Sequence, residues 1–408
     1  MYCGLDFGTS NSALSYVSHG EPKLAVLEQD KAIFPTTIFY HEDRRCDFGA
    51  EAIAKYLDDH PGRLMRSIKS ILGTDLIGEG TVIGERRILF QNVIADYLRE
   101  IKTRAEKDLG TEFDAVVHGR PVHFVDSDSA GDLDAETSLR GILASVGFKH
   151  IEFELEPIAA ARYFTHLQAP KKLLIVVDIG GGTSDFTVVR SSPENRYEVL
   201  ASHGIRLGGM DFDRELSFWR VMPMLGRGAT VSSEKLPTPN WIYSDLASPF
   251  RINLLYGPAK MRDLRWLFDV GADNPKVRLL QSVVERHAGS KIAKDVEEAK
   301  IALSTEKRHK CDFSYIEKGL SKRFDRRELG DVLADGMKRL QTAIAEVLSQ
   351  SGVSAGSIEQ VVMTGGSTNM PLVQDVLKSC FPRAGMETSD RFGAVALGLA
   401  LEAQSRFK

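Results

Sequence analysis

Two short segments share residue types that could handle a charged phosphate. They are DFGTSNSALSYV, with Asp6, Gly8, Thr9, Ser10 and Asn11, and DIGGGTSDFTVV, with Asp178, Gly180, Gly181, Gly182, Thr183 and Asp185. Each sets an aspartate at the end of an apolar run, then a Gly/Thr turn, then a second apolar run. Glycines let the backbone approach a ligand closely and expose successive N–H groups as an anion nest. An aspartate repels phosphate and reaches it only through a metal ion or water. Two such turns facing one another would make a metal–phosphate clamp. Either turn alone also reads as an ordinary hairpin; the recurrence of the pattern argues for two related halves.

Three further sets of residues carry weaker signals. Glu297, Lys300 and Ser304 fall at i, i+3 and i+7, so one helix face can present all three, which is also the spacing of a plain solvated face. Gly365, Gly366 and Ser367 follow the apolar run VVMT, where missing side chains let a flat ligand lie against backbone. Lys69 in IKSILG, taken singly, is a solvated charge. Glu156 before Pro157, taken singly, is a helix-start acid.

The elements around these residues follow from periodicity and punctuation. YCGLDFG, SALSYV, PKLAVLE and TTIFY read as strands, then Gly49 to Leu72 reads as mostly helical. Helices are expected over Ile88 to Asp108 and over Asp134 to Val146, the latter stopped by Gly147. KLLIVVDIGGGTSDFTVVR is a buried strand, a turn and a second strand. Val221 to Asn274, rich in proline and tryptophan, reads as a partly helical insertion. A helix face over Lys291 to Leu303 precedes a basic stretch, Lys307 to Arg327, which reads as a solvated face. The chain closes with a helix over Val332 to Leu348, the strand IEQVVMTGG, and helices after Pro371 and after Asp390.

Composition bounds the class. With 408 residues, 43% hydrophobic and 26% charged, the chain is long enough for two or three domains and is neither disordered nor a membrane protein in composition. A net charge of −4 gives no global basic field for nucleic acid or an anionic membrane. No export signal is visible. Cys3, Cys46, Cys311 and Cys380 are scattered without metal-ligand spacing, so a reducing, cytoplasmic setting is expected.

Taken in order, the motifs resemble the nucleotide-binding domain of the seventy-kilodalton heat-shock chaperones, within the actin, sugar-kinase and chaperone ATPase superfamily, and more narrowly its divergent YegD-type members. Asp6 to Ser10 resemble the first phosphate motif, Asp178 to Asp185 the second, and EPIAAA the connecting motif. GGMDFD, with Gly208 and Gly209, resembles the chaperone GGxxFD segment, and GGSTNMP the adenosine motif. The resemblance implies an α/β, actin-like ATPase fold of duplicated RNase H-like domains, forming two lobes around a nucleotide cleft. The lobes would be 1–170, with an outer subdomain at about 40–91, and 171–408, with an outer subdomain at about 211–313 and final helices returning toward the first lobe.

The same resemblance implies ATP or ADP with Mg2+. Asp6, Asp178 and Asp185 would position the metal through its water shell. Lys69 would stabilise the terminal phosphate, and Glu156 would orient the attacking water. Thr9, Ser10 and the Gly180 to Thr183 turn would hold phosphates, and Glu297, Lys300, Ser304, Gly365, Gly366 and Ser367 would hold the nucleoside. Slow hydrolysis would gate a protein client or a co-chaperone-like partner, with no specific nucleic acid and no membrane. The printed sequence stops soon after AVALGLALEAQ, so no separate peptide-binding domain is expected. The pattern departs from the chaperones at Ile301 and Asn369, where they carry arginines that flank adenine, and near Asp390 and Phe392, where their acidic residue is out of register. A small-molecule kinase and a non-hydrolysing nucleotide-sensing scaffold are the competing readings.

Overall fold

A computed structural model describes residues 1–408 except 44, 59, 84–85, 125–128, 168–171, 193–196, 232–235, 250, 253–254, 256–257 and 389–392. Two five-strand paths organise the site. In the first, the strands run His150–Leu155, Ala115–Arg120, Tyr2–Phe7, Asn11–Ser18, Glu21–Leu24, with Phe34–Pro35 pairing the fourth. In the second they run Tyr197–Ile205, Ser184–Ser191, Leu173–Ile179, Gln360–Thr364, Gly385–Thr388. Both are mixed and share one connectivity: an antiparallel meander of three strands, then two strands added parallel to its first. Consequently Asp6 and Asp178 sit at equivalent places, each at the end of the meander's first strand.

The chain divides into two compact units. One comprises Met1–Arg206, Thr342–Thr368 and Leu377–Lys408; the other comprises Leu207–Gln341 and Asn369–Val376. Both mixed sheets belong to the first unit. Its strands are short, apolar runs buried on both faces, such as Leu174 to Val177, as expected of strands covered by helices. The helix Ala394–Phe407 crosses the helix Glu156–Leu167 so closely that a Cβ on Gly398 would lie 1.8 Å from the Ala159 carbonyl oxygen. The same helix lies on the Tyr2–Phe7 strand, where a Cβ on Gly4 would meet the Ala400 nitrogen at 2.5 Å. Val117, Ala159, Ala160, Phe164, Val395 and Leu399 form the apolar core of this crossing.

Most expected elements are present, with one difference. The helix starting at Gly49 ends at Leu57, not near Leu72, because Pro61 and Gly62 interrupt it and the chain continues as the strand Gly62–Arg66 and a short 3-10 turn, Ile68–Ile71. The basic stretch after Lys307 is a two-stranded antiparallel ribbon, Arg308–Asp312 with Ser321–Asp325. The helices Phe90–Leu109, Ser129–Ser145, Gly289–Ala302, Arg326–Ser351, Pro371–Cys380 and Ala394–Phe407 match the periodicity. Asp390 and Phe392 lie outside the described residues.

Candidate functional site

The first turn is pinned from its flank. Thr36 Oγ1 donates to the Gly8 carbonyl at 2.8 Å, its backbone N–H donates to the Ser10 carbonyl at 2.8 Å, and the Ser12 and Thr36 hydroxyls are 2.9 Å apart. Thr9, Ser10 and Asn11 are thereby held half-buried. Asp6, one strand position before Phe7, pairs across the hairpin with Ala13.

The second turn is closed by its own backbone, the Gly180 N–H donating to the Thr183 carbonyl at 3.0 Å. Thr183 is exposed, Gly181 and Gly182 are half-buried, and the Thr183 side chain hydrogen-bonds the Asp185 carboxylate. Asp178 stands opposite Asp185 in the antiparallel register and opposite Thr364 in the parallel one. Ser367 Oγ donates to the Gly180 carbonyl at 3.4 Å. Gly365 has φ +78°, and a Cβ there would lie 2.4 Å from the Ile179 carbonyl oxygen and 2.7 Å from Asp178 Oδ1. The structure therefore brings Asp178, Asp185, Gly180, Gly365 and Ser367 together.

Lys69 and Glu156 meet as one ion pair, Nζ to Oε1 at 2.6 Å, with side chains only 11% and 15% exposed. Lys69 is delivered by the Ile68–Ile71 turn, entered through Ser67 in left-handed backbone (φ 55°). Glu156 opens the helix Glu156–Leu167, where an acid also complements the helix dipole. Glu156, Asp178 and Asp185 line one open pocket with Pro121, Thr187 and Ser202, the last two joined through their hydroxyls at 2.9 Å.

Electrostatics couple these groups. Burial and the Glu156 carboxylate push Asp6 up to about 8. Burial and Glu156 push Asp178 up to about 6, and burial and Asp178 push Asp185 up to about 7. Burial by itself would lower Lys69, but Glu156, Asp6 and Asp178 outweigh it and hold the ammonium above the usual lysine range. One buried cation cannot compensate four carboxylates, so the aspartates hold their protons to higher pH, and a divalent cation would let them ionise. Among the described residues no group of three His, Cys, Asp or Glu side chains is arranged as a direct ligand shell. These hard oxygen donors would suit a Mg2+ ion that keeps much of its water, with Asp6, Asp178 and Asp185 reaching it through that water.

One residue of this neighbourhood carries no sequence signal: His118. It is fully buried in the strand Ala115–Arg120, its Nδ1 is 2.6 Å from the Gly119 carbonyl oxygen, and its ring packs on Phe7 and Phe153. Burial, and then the charge of Lys69, lower its pKa to about 3. The only hint is a histidine inside the apolar run AVVHGR.

The second unit holds the other nominated residues. Gly208 and Gly209 start the helix Gly209–Leu216, with the Gly208 N–H donating to Asp211 Oδ2 at 3.0 Å. Lys300 is buried, donating to Asp213 Oδ2 at 2.8 Å and to the Gly209 carbonyl at 3.0 Å. Glu297 is exposed, and Ser304 is half-buried just beyond the end of the Gly289–Ala302 helix. The helix thus turns Lys300 inward onto the GGMDFD segment, where Glu297 also acts on Asp213. Ile301 is 59% exposed.

The profile of the Hsp70 protein family matches residues 75–224 and 276–405, more than half of the chain. The chain belongs to the Hsp70 family. Similarity along nearly the whole of this chain agrees. This Hsp70 chain is 28% identical over 422 aligned residues to chaperone protein HscA of Edwardsiella ictaluri. It is 26% identical over 400 residues to chaperone protein DnaK of Ureaplasma urealyticum, and 26% over 420 to the HscA homolog of Tolumonas auensis. Each alignment covers 98% of this chain and 57% of the relative, so the chain spans somewhat over half the length of these chaperones. Within the matched segments lie Glu156, the Asp178 to Asp185 turn, Gly208, Gly209, Glu297 to Ser304 and Gly365 to Ser367. No helix among the described residues is long and apolar enough to cross a membrane.

Proposed function

We propose that this Hsp70-family chain binds ATP with Mg2+, hydrolyses it slowly, and uses the nucleotide cycle to gate a protein interaction. The observation that carries the reading is the Lys69–Glu156 pair, beside Asp6, Asp178 and Asp185 and two Gly/Thr turns in one compact unit. Phosphoryl transfer to water needs charge neutralisation and in-line placement more than covalent help. Mg2+ supplies the neutralisation when bound. Lys69 then turns its ammonium to the terminal phosphate, the N–H groups of the Gly8 to Ser10 and Gly180 to Thr183 turns hold the phosphate oxygens, and Glu156 orients the water and accepts its proton.

Two lobes, 1–170 and 171–408, each built on one RNase H-like sheet, are part of this reading; the shared connectivity of the two sheets supports them. The outer subdomains near 40–91 and 211–313 belong to the same reading. The nucleoside is assigned to Glu297, Lys300, Ser304 and the Gly365 to Ser367 turn. We place the chain with the YegD-type members on the resemblance of its motifs, and Ile301 and Asn369, which depart from the chaperone pattern, bear on its preference for adenine. The setting is cytoplasmic; the partner is a protein client or co-chaperone-like protein, in keeping with relatives that are chaperone proteins by name.

The test is equilibrium binding of ATP, ADP, GTP and inorganic phosphate, with and without Mg2+, while released phosphate is counted in the same samples. Mg2+-dependent ATP binding with slow phosphate release is expected. Folded protein that binds no adenosine nucleotide would overturn the reading, and turnover stimulated by one metabolite would replace it with a kinase.

A further inference from the structure

Between Lys307 and Arg327 the sequence holds eight Lys/Arg against three Asp/Glu, in a chain of net charge −4. The ribbon formed there, Arg308–Asp312 with Ser321–Asp325, is joined by no third strand among the described residues. Its register sorts side chains by face. Cys311 and Phe324 are buried, with Cys311 Sγ donating to the Asp295 carbonyl of the Gly289–Ala302 helix. The opposite face carries Arg308 across from Asp325, Lys310 across from Arg323, and Asp312 across from Ser321.

Only the central couple on that face lacks compensation. Arg308 and Asp325 form an ion pair at 3.0 Å, and Asp312 accepts the Ser314 backbone N–H at 2.9 Å. Lys310 and Arg323 are both exposed, and neither forms an ion pair among the described residues; Asp312 acts on Lys310 only at longer range. Like charges directly opposite in an antiparallel pair repel and weaken it. Lys307, Lys318 and Arg327 are exposed as well, whereas Arg326 is used internally, donating to the Leu303 and Glu306 carbonyls at 2.7 Å each. Lysines on ribbon edges do guard against edge-to-edge pairing, but that guard does not require a cation set opposite another cation.

The geometry points to this ribbon face as a docking surface for an extended acidic segment of a partner protein, with carboxylates bridging Lys310 and Arg323. The planar fork of Arg323 takes a carboxylate through two donors, and Lys310 adds a point charge beside it. An extended peptide alternates its side chains with the same two-residue repeat that spaces Arg308, Lys310 and Asp312. A nucleic acid fits less well, since single strands stack on exposed aromatic rings and Phe313 and Phe324 are buried. A membrane fits less well, since no large apolar residue described between Lys307 and Arg327 is exposed to enter lipid.

The experiment titrates the full chain into a fluorescein-labelled peptide of about ten alternating Glu and Ser residues, at about 50 and 300 mM salt. A Lys–Ser peptide, a single-stranded oligonucleotide and phosphatidylserine vesicles are titrated in parallel. Saturable, salt-sensitive binding of the acidic peptide is expected, weakened about tenfold or more by Lys310→Glu with Arg323→Glu. The neutral pair Lys310→Gln and Arg323→Gln should melt as wild type and lose affinity too, separating docking from folding. Failure of the acidic peptide to bind, equal binding by wild type and both variants, or tighter binding of the oligonucleotide or vesicles would overturn the proposal. ATP binding, read in the same samples, should be unchanged in every variant, so this proposal and the nucleotide reading fail separately.

Discussion

Lys69 Nζ sits 2.6 Å from Glu156 Oε1, so the two side chains nominated for opposite tasks, one for phosphate and one for water, are each other's counter-charge. Under the proposed hydrolysis, a phosphate oxygen that drew Lys69 away would free Glu156 to face the attacking water. Removing either partner therefore should not look alike.

Glu156→Gln is expected to keep nucleotide affinity within about threefold while single-turnover phosphate release falls about a hundredfold. Lys69→Ala should lose phosphate release and also stability, by about 3–5 kcal/mol, because it leaves Glu156 buried without its cation. Urea melts together with single-turnover kinetics separate the two. Equal melts for Lys69→Ala and wild type would remove the buried pair from the account.

The acid cluster sets a pH signature. Burial and the neighbouring carboxylates lift Asp6 to about 8, Asp185 to about 7 and Asp178 to about 6, above the ordinary range for aspartate. Between about pH 4 and 8 these three aspartates bind more protons in the folded chain than in the unfolded one, so their contribution to stability falls as pH rises, offset in part below about pH 6.5 by the buried neutral His118. The Tm of protein freed of nucleotide and metal should decline from about pH 5 to about pH 8.5, and Asp6→Asn should flatten the decline and raise Tm at the alkaline end. Adding Mg2+ should recover more at high pH than at low. Parallel pH profiles for wild type and Asp6→Asn would refute this assignment.

Gly365→Ala tests the turn beside Asp178. At φ +78° an alanine is strained, and its Cβ would meet backbone at 2.4 Å. A loss of about 1–3 kcal/mol is expected, with weaker Mg2+–ATP binding as Asp178 is displaced. Calorimetry and a urea melt check both, and an unchanged melt would show that the turn rearranges freely.

Ile301→Arg supplies the guanidinium that the chaperone pattern carries at this position. Because Ile301 is 59% exposed, the change should leave the melt unaltered. ATP affinity should rise about tenfold if adenine stacks there, and ATP should gain over GTP. Titration calorimetry with both nucleotides decides it; no change in either would move the base away from the Ile301 helix.

Much of this was legible in the sequence because the decisive features are local. The strand–turn–strand units at Asp6 and Asp178 are written in Gly and Thr that follow short apolar runs, and both formed where those letters stand. The helix from Gly49 was read too long because its apolar residues continue past Pro61 and Gly62, which outrank periodicity. The fate of Lys300 was not legible. Its spacing from Glu297 defines a helix face, but Asp213, which meets it from 87 residues away, is a tertiary neighbour that no periodicity reports. His118 was missed for the same reason, since only the folded sheet brings it near Lys69.

The close crossing at Gly4 and Gly398 has a consequence for how the chain is made. The strand Tyr2–Phe7 leaves the ribosome well before the helix that covers it, Ala394–Phe407, which lies almost four hundred residues further along the chain. At about 5–20 residues per second, that strand waits tens of seconds for its cover. Through that interval the nascent chain exposes an apolar sheet face that its own residues cannot yet shield. A member of a chaperone family would thus begin life as a substrate for the kind of help its relatives are named for.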